Sequence, residues 1–297
     1  MSEGIRSKFI YKACQNGNLF ALKALLVFNK RYINASVIDR SYTNQRATPL
    51  ELACEHGHDH MVKYLMNNEV DPNKTGRSDA NKPLYIICNK QLETDRSMEL
   101  IRNLVEHGAN INARNFNNES ALHSACKNNN MAAIIYLVNN GADINAKDNG
   151  NKTPLHIACE KNNYTLVEYL VAKEADMTAQ ANNTEYFYYS HIDTLWCTHG
   201  KPIKTYFTPL QIALKHNNKR IIGLLLDNLA EQGPKKAMQF CETMKQTCFE
   251  ETIVDRNFFR EKGCFKEIYR KRRIKRNKKW QAILETEKQI KKRLDDL

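Results

Sequence analysis

Nine cysteines are the residues of this chain best suited to covalent or metal chemistry, and their spacing argues against both. Cys14, Cys54, Cys88, Cys126 and Cys159 each follow an apolar residue at one equivalent place in a recurring segment. Equivalent places in successive segments are held a whole segment apart, too far for the short Cβ separation of a disulfide. They read as small core residues. Cys241, Cys248 and Cys264 lack any Cys-x-x-Cys spacing, and His191, Cys197 and His199 offer three ligands in no recognised zinc pattern. No metal site and no cofactor is expected. Thiols left free in this number suit an intracellular reducing compartment, cytoplasm or nucleus. A nucleophile elbow, a phosphate-cradling Gly-rich loop, a zinc-protease motif and a kinase signature are all missing from the sequence. The stretch after residue 229 is also small for a catalytic domain. The chain reads as a binder, not an enzyme.

The second concentration of chemistry is charge. The net charge of +12 comes from 45 Lys and Arg against 33 Asp and Glu. Between Arg256 and Arg293 there are 16 basic and 4 acidic residues, so this surplus of 12 is the whole net charge. Its densest part holds Lys271, Arg272, Arg273, Lys275, Arg276, Lys278 and Lys279. Without Gly or Pro after Gly263 the segment is expected to be helical, with Trp280, Ile283, Ile290 and Leu294 near heptad spacing. Such a run suits nuclear import, contact with nucleic acid, or a surface for acidic partners or lipids. A solvated basic helix that ends the fold fits equally. No aromatic residue interleaves the run, which counts against a base-stacking platform.

The elements that position these groups are set by a repeat. Thr48-Pro49-Leu50, Ser120-Ala121-Leu122-His123, Thr153-Pro154-Leu155-His156 and Thr208-Pro209-Leu210 are near copies, and Lys82-Pro83-Leu84 is a weaker one. From Ala121 to Pro154 the step is 33 residues, and Leu104, Leu137 and Leu170 keep it. A fixed period of this size means a stacked array. Thr or Ser before Pro is an N-cap followed by a residue whose fixed φ suits the first helical turn. The Leu and the pairs Leu52/Ala53, Ile157/Ala158 and Ile212/Ala213 then make an apolar stripe at helical spacing. Gly17, Gly57, Asn129, Asn162 and Asn217 separate paired helices, as residues that tolerate a left-handed backbone. Gly108 and Gly141 end second helices.

These residues resemble the ankyrin repeat, most fully over 120–146 and 153–176. The resemblance implies an all-α solenoid of helix pairs with loop or β-hairpin connections. Six repeats are expected, at about 5–36, 45–74, 80–113, 117–146, 150–180 and 205–229, giving an array over 1–229 followed by a helical basic segment over 230–297. Repeat three carries five extra residues between its helices. The motif His is present only at 123 and 156, with Glu51, Tyr85 and Gln211 elsewhere, so the family's bonding between repeats is expected to be incomplete. The abundance of Asn, Lys and Ile is common in proteins of AT-rich genomes, and repeats of this style resemble those of intracellular bacteria, protists and large viruses, which bears on source and not on function. A host-directed effector or adaptor is one form that the expected scaffold would take.

Pro154 and Pro209 are 55 residues apart, so about 22 residues interrupt the period. The interruption, 182–206, has aromatic and β-branched residues on both sides of His199-Gly200-Lys201-Pro202 and reads as a β-hairpin finger. Tyr186, Phe187, Tyr188, Tyr189 and Trp196 would arm it for a partner. By the resemblance, partners bind the concave face and the loop tips. Those tips carry Lys74, Arg77, Arg114, Phe116, Asn117, Lys147, Asp148, Asn149 and Lys152. The expected partner is a protein met by a monomeric scaffold. Nucleic acid at the tail is the alternative, as is a diverged F-box-like tail that recruits a ubiquitin ligase, although only Pro234 is present where a Leu-Pro pair opens such a segment. No apolar run is long enough to span a bilayer.

Overall fold

Four of the helix pairs start from a residue in extended backbone whose side chain holds the first turn, whereas the third starts from Lys82, extended but without a side-chain cap. Thr48, Ser120, Thr153 and Thr208 have ψ of 157°, 170°, 166° and 161° and form capping boxes with Glu51, His123, His156 and Gln211. Pro49, Pro154 and Pro209 follow at the first helical position, where no N–H partner is needed. Local sequence thus fixes where the chain turns helical.

The computed structural model describes residues 3–27, 30–35, 37–39, 45–76, 82–90, 94–182 and 206–231. Among the described residues are twelve α-helices in six consecutive pairs. They are α1 (Glu3–Gln15) with α2 (Leu19–Val27), α3 (Pro49–His56) with α4 (Asp59–Met66), and α5 (Pro83–Asn89) with α6 (Thr94–Glu106). Then come α7 (Ala121–Lys127) with α8 (Met131–Asn139), α9 (Pro154–Glu160) with α10 (Tyr164–Ala172), and α11 (Pro209–Lys215) with α12 (Lys219–Glu231). Two short antiparallel ladders join pairs: β1 (Val37–Asp39) on β2 (Gln45–Ala47), and β3 (Ala181–Asn182) on β4 (Tyr206–Phe207). The basic segment lies outside the described residues.

Two compact units divide the chain, Met1–Asn149 and Gly150–Leu297. In the first, α1, α3, α5 and α7 stack in order, and α4, α6 and α8 form a second row. In the second, α11 stacks on α9 and α12 on α10. Each core is built from the same positions, such as Leu50, Ala53, Leu65 and Leu122 in the first unit and Leu155, Ala158, Leu170 and Leu210 in the second. The five repeat cysteines are buried and free. Burial lifts the Cys14, Cys88 and Cys159 thiols to about 12 and raises Cys54 and Cys126 too, so they are unreactive packing groups at neutral pH.

Helix one turns into helix two through one left-handed residue. Gly17 and Gly57 have φ of 68° and 73°, and Asn129, Asn162 and Asn217 have 54°, 56° and 53°. After all but Gly57 the residue that follows is an Asn (Asn18, Asn130, Asn163 or Asn218), whose Oδ1 accepts the N–H three positions on and caps the second helix, while His58 after Gly57 makes no such cap. In the third pair the extra residues extend this second helix. Leu104 and Leu137 are equivalent, yet α6 starts ten residues before its leucine and α8 only six. Four of the five added residues thus form an extra N-terminal turn, and the connection grows by one.

At positions 51 and 85, where the motif His is replaced, bonding toward the next repeat is kept. Glu51 Oε2 accepts the Thr48 N–H at 2.6 Å and, across to the next repeat, the Gly76 N–H at 2.7 Å. The polarity is inverted relative to a histidine that donates to a carbonyl. Gly76 is required there, because a Cβ would overlap the backbone of Arg46 and Ala47. Tyr85 reaches forward as well, donating its hydroxyl to Glu119 Oε2 at 2.6 Å. Glu119 also receives the Asn115 amide at 3.1 Å and an ion pair from Lys127. Burial alone would raise the Glu119 carboxyl, but these donors outweigh it and hold it below its ordinary value.

A second ladder runs along the loops. The Asn34, Asn73 and Asn112 Oδ1 atoms accept the N–H of Asp71, Asn110 and Asp143 in the next repeat, at 2.9, 2.7 and 2.8 Å. Asn73 and Asn112 also donate to the carbonyls of Gly108 and Gly141, at 2.9 and 3.0 Å.

Restoring the motif residue at position 51 should therefore harm the fold. In Glu51→His the ring N–H would meet the Gly76 N–H, leaving a buried donor without an acceptor at a cost of about 1–3 kcal/mol. Glu51→Gln keeps an acceptor oxygen, as Gln211 does for Thr208 N–H at 2.7 Å, and should lose less. Urea unfolding of both variants checks the order; a histidine variant as stable as the glutamine one refutes the inverted link.

Candidate interaction surface

The loop ahead of α7 is a braced turn. Asn115 Oδ1 accepts the N–H of Asn117 at 2.9 Å and of Glu119 at 2.8 Å, and Asn118 takes φ of 60°. The following loop is pinned to it. Asn149 donates its N–H to the Asn117 carbonyl at 2.9 Å and its amide to the Phe116 carbonyl at 3.0 Å, while the Asn118 amide donates to the Lys147 carbonyl at 2.9 Å. The Arg114 guanidinium lies across both, donating to the Asn118 carbonyl at 3.2 Å and pairing with Asp143 at 3.5 Å.

This bracing sorts the residues expected to bind. Phe116 stands out at 61% exposure, with Asn117 and Lys147 exposed beside it in sequence and bonding. Arg114 and Asn149 hold the loops together, and half-buried Asp148 is also engaged within the fold. Lys74 is exposed on an earlier loop of the same unit. In the second unit Lys152 pairs with Glu160 at 2.7 Å. Arg77, the finger aromatics Tyr186, Phe187, Tyr188, Tyr189 and Trp196, the candidate ligands His191, Cys197 and His199, and the basic residues from Lys271 to Lys279 lie outside the described residues.

The base of the interruption is described. β3 and β4 pair in the register Ala181 to Phe207 and Asn182 to Tyr206, so the chain leaves and re-enters the second unit at neighbouring points. The Asn182 N–H donates to the Gly150 carbonyl at 2.7 Å. From below, His156 Nδ1 accepts the Thr153 N–H at 3.1 Å, which places its proton on Nε2 for the Phe207 carbonyl at 3.0 Å. Burial lowers the His156 pKa to about 4, keeping the ring neutral for this double role.

Sequence reasoning passed over the first helix pair. Phe20 and Val27 are 84% and 75% exposed, and Ile5 and Phe9 are about half exposed. The readable signal was an apolar residue seven positions after another on α2, opposite the buried Leu22 and Leu26.

Comparison with known proteins gives two matches. The family described as ankyrin repeats (3 copies) matches residues 6–76 and 84–181. A 127-residue stretch is 31% identical to a probable serine/threonine-protein kinase of Dictyostelium discoideum, covering 41% of this chain. The chain spans 14% of the length of that relative.

The His156 geometry predicts acid sensitivity of the second unit. Its folded pKa is below the unfolded value of 6.5, so the neutral ring's stabilisation is complete above that pH and is lost as pH falls toward 4. The loss should reach about 3 kcal/mol at the lower limit. His156→Gln should flatten this part of the stability–pH curve measured by urea unfolding; an unchanged curve contradicts the assignment.

Proposed function

Because the chain belongs to the ankyrin-repeat family, whose arrays are protein–protein interaction modules, we propose that it is a non-enzymatic scaffold that captures a protein partner at its loop tips. The observation that supports this is Phe116. Its side chain is 61% exposed on a turn whose backbone is braced by Asn115, Asn118 and Asn149 before binding, which lowers the cost of ordering the loop in a contact. Exposed Asn117 and Lys147 beside it supply polar and positive contacts. An aromatic ringed by polar groups is the usual composition of a binding hot spot.

Affinity capture from cell lysate followed by quantitative mass spectrometry tests it. Phe116→Ala should reduce recovery of the main partner at least about tenfold, the effect of losing about 1.4 kcal/mol, with the melting temperature unchanged. A chain lacking 183–205 separates the finger from the loop tips. If capture survives both changes, the loop-tip model is wrong.

A second reading rests on the charge of the C-terminal segment, whose surplus of 12 positive charges equals the whole net charge. Import receptors hold short extended basic segments, whereas nucleic acid neutralises charge along a longer surface and releases counterions. Replacing Lys271, Arg272, Arg273, Lys275 and Arg276 by Ala should move a fluorescent fusion from nucleus to cytoplasm under the import reading. An unchanged distribution rejects import. Steeply salt-dependent DNA or RNA binding by the full chain, lost in the same variant, would favour nucleic acid.

A further inference from the structure

The first helix pair presents a face that the later pairs bury. Cys14 and Cys54 are equivalent, so Phe9, Lys12, Ala21 and Leu25 correspond to Pro49, Leu52, Met61 and Leu65. In the second pair these positions are buried, Leu52, Met61 and Leu65 at 1, 1 and 0%, with α1 stacked against α3. In the first pair Phe9 is 52% exposed, Lys12 is exposed, and Ala21 and Leu25 are half-buried. The face therefore has the contour that receives helices elsewhere in the same unit, and among the described residues it is open.

Its chemistry is one-sided. On α1, Ile5, Lys8, Phe9 and Lys12 are all exposed at the i, i+3, i+4, i+7 spacing of a single helical stripe. On α2, Phe20, Ala24 and Val27 make an exposed apolar stripe beside this face, at positions whose counterparts His60, Tyr64 and Asn67 are not buried in the second pair. Lys23 lies at its edge and is turned toward the next repeat, with its Nζ over the Tyr64 ring at 4.9 Å from the centroid. From Ile5 to Val27 the sequence has four basic residues and no Asp or Glu. An apolar patch of this kind marks an interaction site when its rim is polar.

We infer that this face of the first helix pair docks an amphipathic helix of a partner protein, with carboxylates flanking its apolar ridge. The apolar side chains of the visitor pack on Ile5, Phe9, Ala21 and Leu25, and its carboxylates meet Lys8 and Lys12. Charge complementarity excludes the chain's own basic segment and a second copy of the same face, both of which would be repelled. A membrane fits less well. An interfacial helix segregates lysines and apolar residues onto opposite faces, whereas on α1 they alternate within one stripe. The surface is separate in sequence and fold from the Phe116 loop.

The test is fluorescence anisotropy of a labelled synthetic helical peptide, Leu at heptad a and d positions and Glu at the flanking ones, titrated with the full chain. Saturable binding is expected, weakened at least about tenfold by Lys8→Glu with Lys12→Glu, and similarly by Phe9→Ser. The same peptide with Lys in place of Glu should not bind, and salt at about 0.5 M should weaken the Glu peptide. Phe9 is 52% exposed, so its variant should keep the wild-type circular dichroism spectrum and a melting temperature close to wild type, which are recorded alongside. Phe116→Ala should leave the peptide affinity unchanged, which separates this site from the loop tips. No saturation, equal binding of both peptides, or full affinity in the charge-reversed chain overturns the inference. So does flotation with phosphatidylserine vesicles without peptide binding, or a concentration-dependent dimer abolished by Phe9→Ser.

Discussion

The third helical residue of each internal pair carries two obligations at once. Except at Tyr85, its side chain closes the capping box on the residue before the helix, and in several repeats it reaches the backbone or a side chain toward the next repeat. Glu51 does so toward Gly76, Tyr85 toward Glu119 and His156 toward Phe207. Helices of seven or eight residues are too short to hold themselves in water. Tying each start to the following repeat makes local helix formation and stacking one event. The cores of small Ala and Cys between larger Leu and Ile depend on that spacing, because close packing tolerates little slack.

Chemical identity at this position is negotiable while the bond is not. Histidine donates to a carbonyl, glutamate accepts from an amide, and tyrosine donates to a carboxylate. Each choice is matched by its surroundings. Glu51 is buried and its carboxyl raised above the ordinary range, with the Thr48 and Gly76 N–H groups and Lys82 opposing that rise. Replacing the residue without its partner would strand a buried polar group, which costs more than the bond itself contributes.

The same logic explains how the second unit accepts an insertion. Residues 183–205 enter and leave through a two-residue ladder secured by His156 and by the Gly150 carbonyl, so the helices on either side keep their stacking. The entropy of closing a loop grows only slowly with its length once the ends are fixed, so a long excursion costs the array little. In the third pair the added residues were absorbed differently, as a further turn of α6 that propagates an existing helix.

Much of this was legible in the residues themselves. The 33-residue step, the Thr/Ser-Pro/Ala-Leu starts, the Gly and Asn turns and the cysteine register determined six helix pairs and their cores, because caps, turns and apolar stripes act over a few residues. Groups that meet across a repeat were hidden. Nothing in the sequence pairs Glu51 with Gly76 or Arg114 with Asp143, and counting histidines suggested missing bonds where stacking supplied different ones. Exposure was hidden for the same reason. The repeat register placed Phe116 at a loop tip, but Phe20 resembles a core residue by type, and only the packing of neighbouring chain decides that it faces solvent while Leu22, two residues away, does not.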